Sequence, residues 1–315
     1  MEGNLRTMMR RCWLPLAERA ARSYTAGPEL ADGVQVCRSL VRLGMATTIC
    51  FWNGEGDSPR QTADAYLAAL DALAREKLNC SLSVKAPPLD FSRDLLDEIL
   101  GRARQGGVIV HFDSLSPEAA DQTFSLIADA LERYPKLGCT LPGRWRRSLQ
   151  DADRAVELRL NVRVVKGQWV DPDEPNIDPA AGFLAVIDRL AGRASHVAVA
   201  THDPLLAGEA LGRLLAAGTS CEVELLFGLP MRRAIRVARE AGVPVRVYVP
   251  YGHAWLPYLL SQARQHPHVV WWLCRDLLLG RLFRSPGALP SALCSLTGAL
   301  AHCAPSDLPH QERIR

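Results

Sequence analysis

The hydrophobic positions of this chain gather into eight short apolar, β-branched runs, and a stretch with helical spacing follows each of them. The runs are Ala46 to Trp52, Cys80 to Ala86, Val108 to Asp113, Leu137 to Leu141, Asn161 to Gly167, His196 to His202, Cys221 to Gly228 and Val243 to Pro250. Two parallel strands need a crossover between them, usually a helix, so the alternation predicts βαβ units. Eight such units in succession predict a closed (β/α)8 barrel of the TIM type, whose chemistry gathers at the C-terminal ends of its strands. Glu55, Lys85, Asp113, Arg163, Lys166, His202, Glu222, Glu224 and Tyr248 all fall at those ends.

Helix boundaries support the same reading. Ser116-Pro117-Glu118-Ala119 predicts a capping serine before a proline in the first turn, with Ala119, Phe124, Ile127, Ala128 and Leu131 as the inward stripe. Asp178-Pro179 and Asp203-Pro204 predict two more starts, and Gly218 and Gly242 predict helix ends in the left-handed conformation. The chain divides into an N-terminal helical segment over 1–45, the barrel over 46–266, and a C-terminal helix with a loosely ordered tail over 267–315. Met1 to Ala21 carries arginines but no long apolar run, so it reads as an amphipathic helix capping the barrel and not as a secretory signal. Val269 to Phe283 is the most apolar stretch; Arg275, Asp276 and Arg281 interrupt it, and it is too short to span a bilayer. It reads as a core helix, with contact at a membrane surface as the alternative.

Composition narrows the function classes. With 37 basic and 34 acidic residues, and no basic run interleaved with aromatics, the chain offers no nucleic-acid surface. Its nine cysteines form no metal-ligand spacing, so the expectation is no metal and reduced, mostly buried thiols in a cytoplasmic protein.

Alternation along the strands then sorts the polar side chains. Arg163 and Val165 share one face of their strand, and a buried arginine requires an anionic or strongly polar partner. Lys85 and Asp113 occupy the same layer; they form either a plain ion pair or the two sides of a ligand site. Glu222 and Glu224 share a face of the seventh strand and need cations, for which Arg163 and Lys85 are available. Thr201 and His202 stand beside the helix start at Asp203-Pro204, whose N–H groups suit a phosphate; an ordinary loop histidine is the alternative.

These residues carry a family resemblance. Val162-Arg163-Val164-Val165-Lys166-Gly167-Gln168-Trp169, Ala200-Thr201-His202-Asp203, Glu222-Val223-Glu224-Leu225-Leu226-Phe227-Gly228 and Val245-Arg246-Val247-Tyr248-Val249-Pro250-Tyr251-Gly252 resemble, in order and spacing, the proline dehydrogenase family. Tyr24-Thr25-Ala26-Gly27, Leu43-Gly44 and Asn53-Gly54-Glu55 resemble that family's entry helix and first strand, so the resemblance covers about residues 20–283. It implies a distorted barrel holding FAD, which takes a hydride from the carbon beside the ring nitrogen of proline, yields the pyrroline and passes electrons to a quinone or other acceptor. Lys85, Asp113 and Arg163 match the catalytic positions, with Arg163 beside the flavin. Arg163, Lys166, Gly167, Gln168, Thr201, His202 and Glu224 match cofactor contacts. Lys85, Tyr248, Tyr258, Ser261 and Gln262 stand at substrate positions. The resemblance also allows peripheral attachment at the inner face of the membrane.

The chain departs from the family on the eighth helix. Where the family has Tyr-x-x-Arg-Arg to grip the proline carboxylate, this chain reads Tyr258-Leu259-Leu260-Ser261-Gln262. Losing a buried charged partner costs about 2 to 5 kcal/mol, so the resemblance implies weak binding of free proline unless another cation, such as Arg264, Arg232 or Arg233, substitutes. The strand-four glutamine is replaced near Leu141-Pro142, the acid later on the eighth helix is Gln265, and the strand-seven glutamine is Glu224. Three functions stay open: oxidation of proline or a cyclic amine resembling it, including carboxylate-modified or carrier-bound derivatives; a flavin-binding protein without turnover; and a non-flavin barrel enzyme using Lys85 as a Schiff-base amine.

Overall fold

The computed structural model describes residues 26–54 and 56–252 of the 315-residue chain. In chain order the elements are α1 (Leu30–Arg42), β1 (Ala46–Trp52), α2 (Pro59–Glu76), β2 (Cys80–Val84), α3 (Arg93–Gly106), β3 (Val110–Phe112), α4 (Ala120–Leu131), β4 (Leu137–Pro142), α5 (Ser148–Glu157), β5 (Asn161–Val165), α6 (Pro179–Leu190), β6 (Val197–Ala200), α7 (Pro204–Ala216), β7 (Cys221–Leu226), α8 (Arg232–Glu240) and β8 (Val245–Gly252). Each strand pairs in parallel with the next. β8 then returns to β1 in register, from Ala46 opposite Arg246 to Trp52 opposite Gly252, and closes the barrel.

Strand alternation decides what fills the barrel. One face of each strand supplies buried apolar residues such as Ile49, Leu82, Val84, Val162, Val164, Val199, Val223 and Val247, which belong to the layer between strands and helices. The other face supplies Thr48, Ser83, His111, Thr140, Arg163, Glu222 and Glu224, equally buried. Barrels of this kind ordinarily fill their interior with branched apolar side chains. Here the interior is a polar network, and the hydrophobic core lies outside it, under the helices.

The outer layer across the β8–β1 seam is built by α1, the helix before β1, which packs on both strands. It can do so closely because Gly33 lies against them; an added Cβ would come within 3.2 Å of Ile49 Cδ1 and 3.4 Å of Tyr251. Two backbone bonds, Ala26 N to Pro250 O and Gly252 N to Gly27 O, both 3.1 Å, fasten the entry to α1 onto the end of β8. Around the barrel, neighbouring helices are linked by partly exposed ion pairs such as Arg38–Glu76, Arg60–Glu98, Arg133–Asp97 and Arg213–Asp188. Each such pair contributes no more than about 1 kcal/mol.

Asp178 and Asp203 cap α6 and α7, each followed by proline in the first turn, and α7 and α8 run into Gly218 and Gly242 with φ of +70° and +67°. The start at Ser116 needs correction. α4 begins at Ala120, and Pro117 to Ala119 form a separate turn closed by Ala120 N to Pro117 O at 3.2 Å. The Pro117 carbonyl is also held by Arg147 Nη1 at 3.1 Å, which ties that turn to the start of α5. Ala128 is only partly buried; Leu126 and Ala130 join Phe124 and Ile127 on the inward face. Among the described residues no helix is long and apolar enough to cross a membrane. The expected helices over 1–21 and 269–283 lie outside the described residues.

Candidate active site

At the C-terminal mouth, Arg163 from β5 sits between two carboxylates. Its Nε and Nη2 donate to Glu224 Oε2 and Oε1 at 2.6 and 2.9 Å, a two-pronged pair with β7. Its Nη1 donates to Asp113 Oδ1 at 2.7 Å, with Ser83 Oγ and Thr140 Oγ1 each 3.4 Å away. Burial alone would lower the guanidinium pKa, but Glu224 and Asp113 outweigh it and hold the group above its ordinary value. Thr48 from β1 donates to Glu224 Oε1 at 2.9 Å, the same oxygen that accepts from Arg163 Nη2.

Asp113 follows β3 directly, its backbone N–H still bonded to Val84 O at 2.9 Å. Its Oδ1 accepts from Ser83 Oγ and Arg163 Nη1, both at 2.7 Å, and its Oδ2 from Tyr248 Oη at 2.6 Å and Cys50 Sγ at 3.7 Å. Four donors fill the roughly four lone-pair positions of a carboxylate. Tyr248 is held well above its ordinary pKa by burial and by Asp113, and Cys50 is pushed up to about 12, chiefly by burial; both therefore remain donors at neutral pH.

One layer down, Arg246 Nε donates to Glu222 Oε1 at 2.6 Å, and its Nη1 to Thr47 O and Ser81 Oγ at 2.9 and 3.1 Å. His196 Nε2 lies 3.4 Å from the same Glu222 oxygen. Burial alone would raise Glu222, yet His196 and Arg246 leave it below the usual carboxylate value. The partners of Glu222 and Glu224 are thus Arg246 and Arg163, which corrects the expectation that Lys85 would serve. Arg246 lies two positions before Tyr248 on β8, with only Val247 between them, so it belongs to this lower layer and not to the mouth.

Lys85 has a different place. Its Nζ donates to Phe51 O at 3.2 Å and lies 5.9 Å from the centre of the Trp52 ring, and the plain Lys85–Asp113 ion pair is not formed. Arg163 thus takes both Asp113 and Glu224, Arg246 takes Glu222, and Lys85 pairs with none of the three acids.

The loop side chains divide. Lys166 Nζ is 3.5 Å from Asp203 Oδ2, both about two-fifths exposed. Gly167, with φ of +92°, packs so that a Cβ would meet Pro142 Cβ and Arg144 Cγ at 2.9 Å. The Gln168 carbonyl accepts from Arg144 at 3.3 Å. Thr201 Oγ1 accepts from Asp203 N at 3.2 Å. His202 is bound at both ring nitrogens, Nδ1 to Pro230 O at 3.2 Å and Nε2 to Leu226 N at 3.0 Å, and burial lowers its pKa. It braces the end of β7 as a neutral ring. The expected phosphate seat at the start of α7 is also corrected: Asp203 Oδ1 already accepts from Leu205 N and Leu206 N at 3.0 and 3.3 Å, and Pro204 has no N–H. Tyr258, Ser261 and Gln262, like Glu55 and Arg264, lie outside the described residues.

The donor set fits the flavin expected from the sequence. A reduced flavin gains negative charge and is stabilised by fixed cations. Of the three Lys85 N–H groups one goes to Phe51 O, Lys166 reaches the exposed rim, and Arg163 lies at the mouth in a fixed orientation. Sequence reasoning missed Thr48, Cys50, Ser83 and Thr140, which complete this network. Their signal was period-two spacing: Thr48 and Cys50, or Ser81 and Ser83, alternate with apolar neighbours and must share the Arg163 side of their strands.

No family model matches the chain. Among curated proteins it is 30% identical over 278 residues to proline dehydrogenase 1 of Bacillus subtilis, covering 82% of this chain and 90% of that protein. It is 25% identical over 288 residues to proline dehydrogenase of Deinococcus radiodurans, covering 84% and 91%. Among solved structures, proline utilization A from Bdellovibrio bacteriovorus, inactivated by N-propargylglycine, superposes with a TM-score of 0.67 at 15% identity over 77% of this chain. This chain spans 32% of that larger protein, and the likeness bears on the fold.

Proposed function

Because this chain belongs to the proline dehydrogenase family, we propose that it oxidises proline, or a cyclic amine resembling it, to the corresponding pyrroline by hydride transfer to FAD, with a quinone or other acceptor taking the electrons. The observation that carries the proposal is the gathering of Lys85 and Asp113, just past the ends of β2 and β3, with Arg163 from within β5 and Tyr248 from within β8, at one mouth of the barrel. When bound, FAD supplies the hydride acceptor. The chain's own residues orient and shield. Asp113, with its acceptor positions filled, holds the Tyr248 hydroxyl and the Arg163 guanidinium in fixed directions and does not act as a base. Tyr248 stays protonated, which leaves solvent at the mouth to take the substrate's amine proton. Lys85 offers its remaining N–H groups to an anionic or carbonyl oxygen of the substrate. Lys166, Gly167, Gln168, Thr201 and His202 shape the cofactor rim and Tyr248 borders the substrate; by the family resemblance alone, Tyr258, Ser261 and Gln262 are proposed as further substrate positions.

Ser261-Gln262 in place of a guanidinium pair favours a second reading, a substrate whose carboxylate is esterified, amidated or attached to a carrier. Anaerobic titration of the purified flavoprotein with L-proline, L-proline methyl ester and prolinamide tests both. Bleaching of the flavin absorbance by proline at micromolar to low millimolar concentration supports the first reading, and bleaching by the blocked analogues alone supports the second. No bleaching by any of them would overturn the proposal.

A further inference from the structure

Arg163 is the guanidinium that the family resemblance puts beside the flavin, yet both of its edges already meet carboxylates. Glu224 takes Nε and Nη2 at 2.6 and 2.9 Å, and Asp113 takes Nη1 at 2.7 Å. Glu224 is 3% exposed, so water screens its charge little, and Thr48 at 2.9 Å prevents it from swinging away. A cation paired in this way acts on a neighbouring ligand mainly through what its counter-ions leave uncancelled.

We propose that Glu224 is a tuning residue: its two-pronged grip both orients Arg163 and cancels its charge, which lowers the reduction potential of the bound flavin. The reasoning rests on the flavin reading above. Reduction adds negative charge to the flavin, so a fixed carboxylate beside it opposes reduction, and a neutral amide of the same shape does not. Glu224 has no contact with the reacting atoms in this reading; it works through Arg163.

The test is the midpoint potential of FAD bound to the full-length protein, measured by dye-linked anaerobic reduction. Glu224→Gln keeps the side chain's size and an acceptor for Arg163 but removes one charge. The ratio of affinities for reduced over oxidised flavin should rise about tenfold, an upward shift of about 30 mV for a two-electron couple. Thr48→Val, which loosens Glu224 without changing any charge, should leave the midpoint where it is. If Glu224→Gln does not fold, Asp113→Asn removes the other counter-ion and should shift the midpoint in the same direction. An unchanged or lower midpoint in the charge-removing variant, or an equal rise in Thr48→Val, would overturn the inference while leaving the proposed function standing. A protein that takes up no flavin when FAD is added would overturn the proposed function and this inference with it.

Discussion

The Tyr248 hydroxyl donates to Asp113 Oδ2 over 2.6 Å, while the ring of the same tyrosine lies 5.1 Å from the guanidinium carbon of Arg163. One side chain therefore touches both members of the ion pair at the mouth, binding the acid through its polar end and the base through its π face. Tyr248→Phe keeps the ring and removes the bond. Asp113 Oδ2 would then retain only the weak Cys50 thiol donor. We expect a stability loss of about 1.5 to 3 kcal/mol, the usual range for a hydrogen bond to a charged group, with a fall in kcat/KM as Asp113 loses its fixed direction. Urea unfolding beside steady-state kinetics checks both. A variant with native stability and native turnover would show that the bond orients nothing.

Removing Arg163 should be much worse than removing its partner as well. Arg163→Met leaves Asp113 and Glu224 buried close together without a cation, and breaking a buried pair on one side costs about 3 to 5 kcal/mol. Arg163→Met combined with Glu224→Gln relieves half of that conflict and should recover part of the loss. The difference between single and double variants in denaturant midpoint measures the coupling; strict additivity would mean that the pair contributes nothing.

The barrel was legible because its signal is redundant: eight apolar runs, each followed in the sequence by helical spacing, and capping residues such as Asp178 and Asp203 that behave locally. Ser116 misled because a serine before proline also suits a free-standing turn, and Arg147, which claims the Pro117 carbonyl, lies on the next βα unit. The site was legible as a set and not as a wiring. Period-two spacing placed Arg163, Glu222 and Glu224 inside the barrel, but it cannot say which cation meets which acid, since that depends on the stagger of strands around the barrel. Arg246, aligned with Glu224 in the β7–β8 register, in fact bonds Glu222 one layer below. His202 shows the same limit. Its position at a strand end was visible, whereas the engagement of both ring nitrogens by backbone from the following strand and loop was not.

Gly167 should not tolerate a side chain. Its φ of +92° is costly for any residue with a Cβ, and the added carbon would press on Pro142 and Arg144 at 2.9 Å. Gly167→Ala is expected to lose more than about 1 kcal/mol of stability and to displace Lys166 beside it. Flavin retained after gel filtration, read as the ratio of visible to ultraviolet absorbance, should fall. Full flavin content with a native melting temperature would show that the loop accommodates the methyl group.

His202 gives the protein an acid-sensitive joint whose direction follows from its bonds. As a neutral ring it accepts from Leu226 N at Nε2, and burial lowers its pKa below the ordinary 6.5. The unfolded chain therefore binds a proton at this position before the folded chain does. The stability that His202 contributes is present in full above pH 6.5 and is lost as the pH falls through 6.5 toward the lowered folded value. One such group gives a slope of at most about 1.4 kcal/mol per pH unit. His111, buried and lowered by desolvation, acts in the same direction, so part of the slope should survive without His202. Glu222 adds its own loss only below its ordinary 4.5, which separates the two windows. Urea unfolding at pH 7.5, 6.5 and 5.5 should accordingly show stability falling toward acid in the native protein and falling less steeply in His202→Leu. Equal slopes in the two proteins would mean that His202 takes up its proton as readily in the folded chain as in the unfolded one, and that the joint at the end of β7 is held by something other than the Leu226 bond.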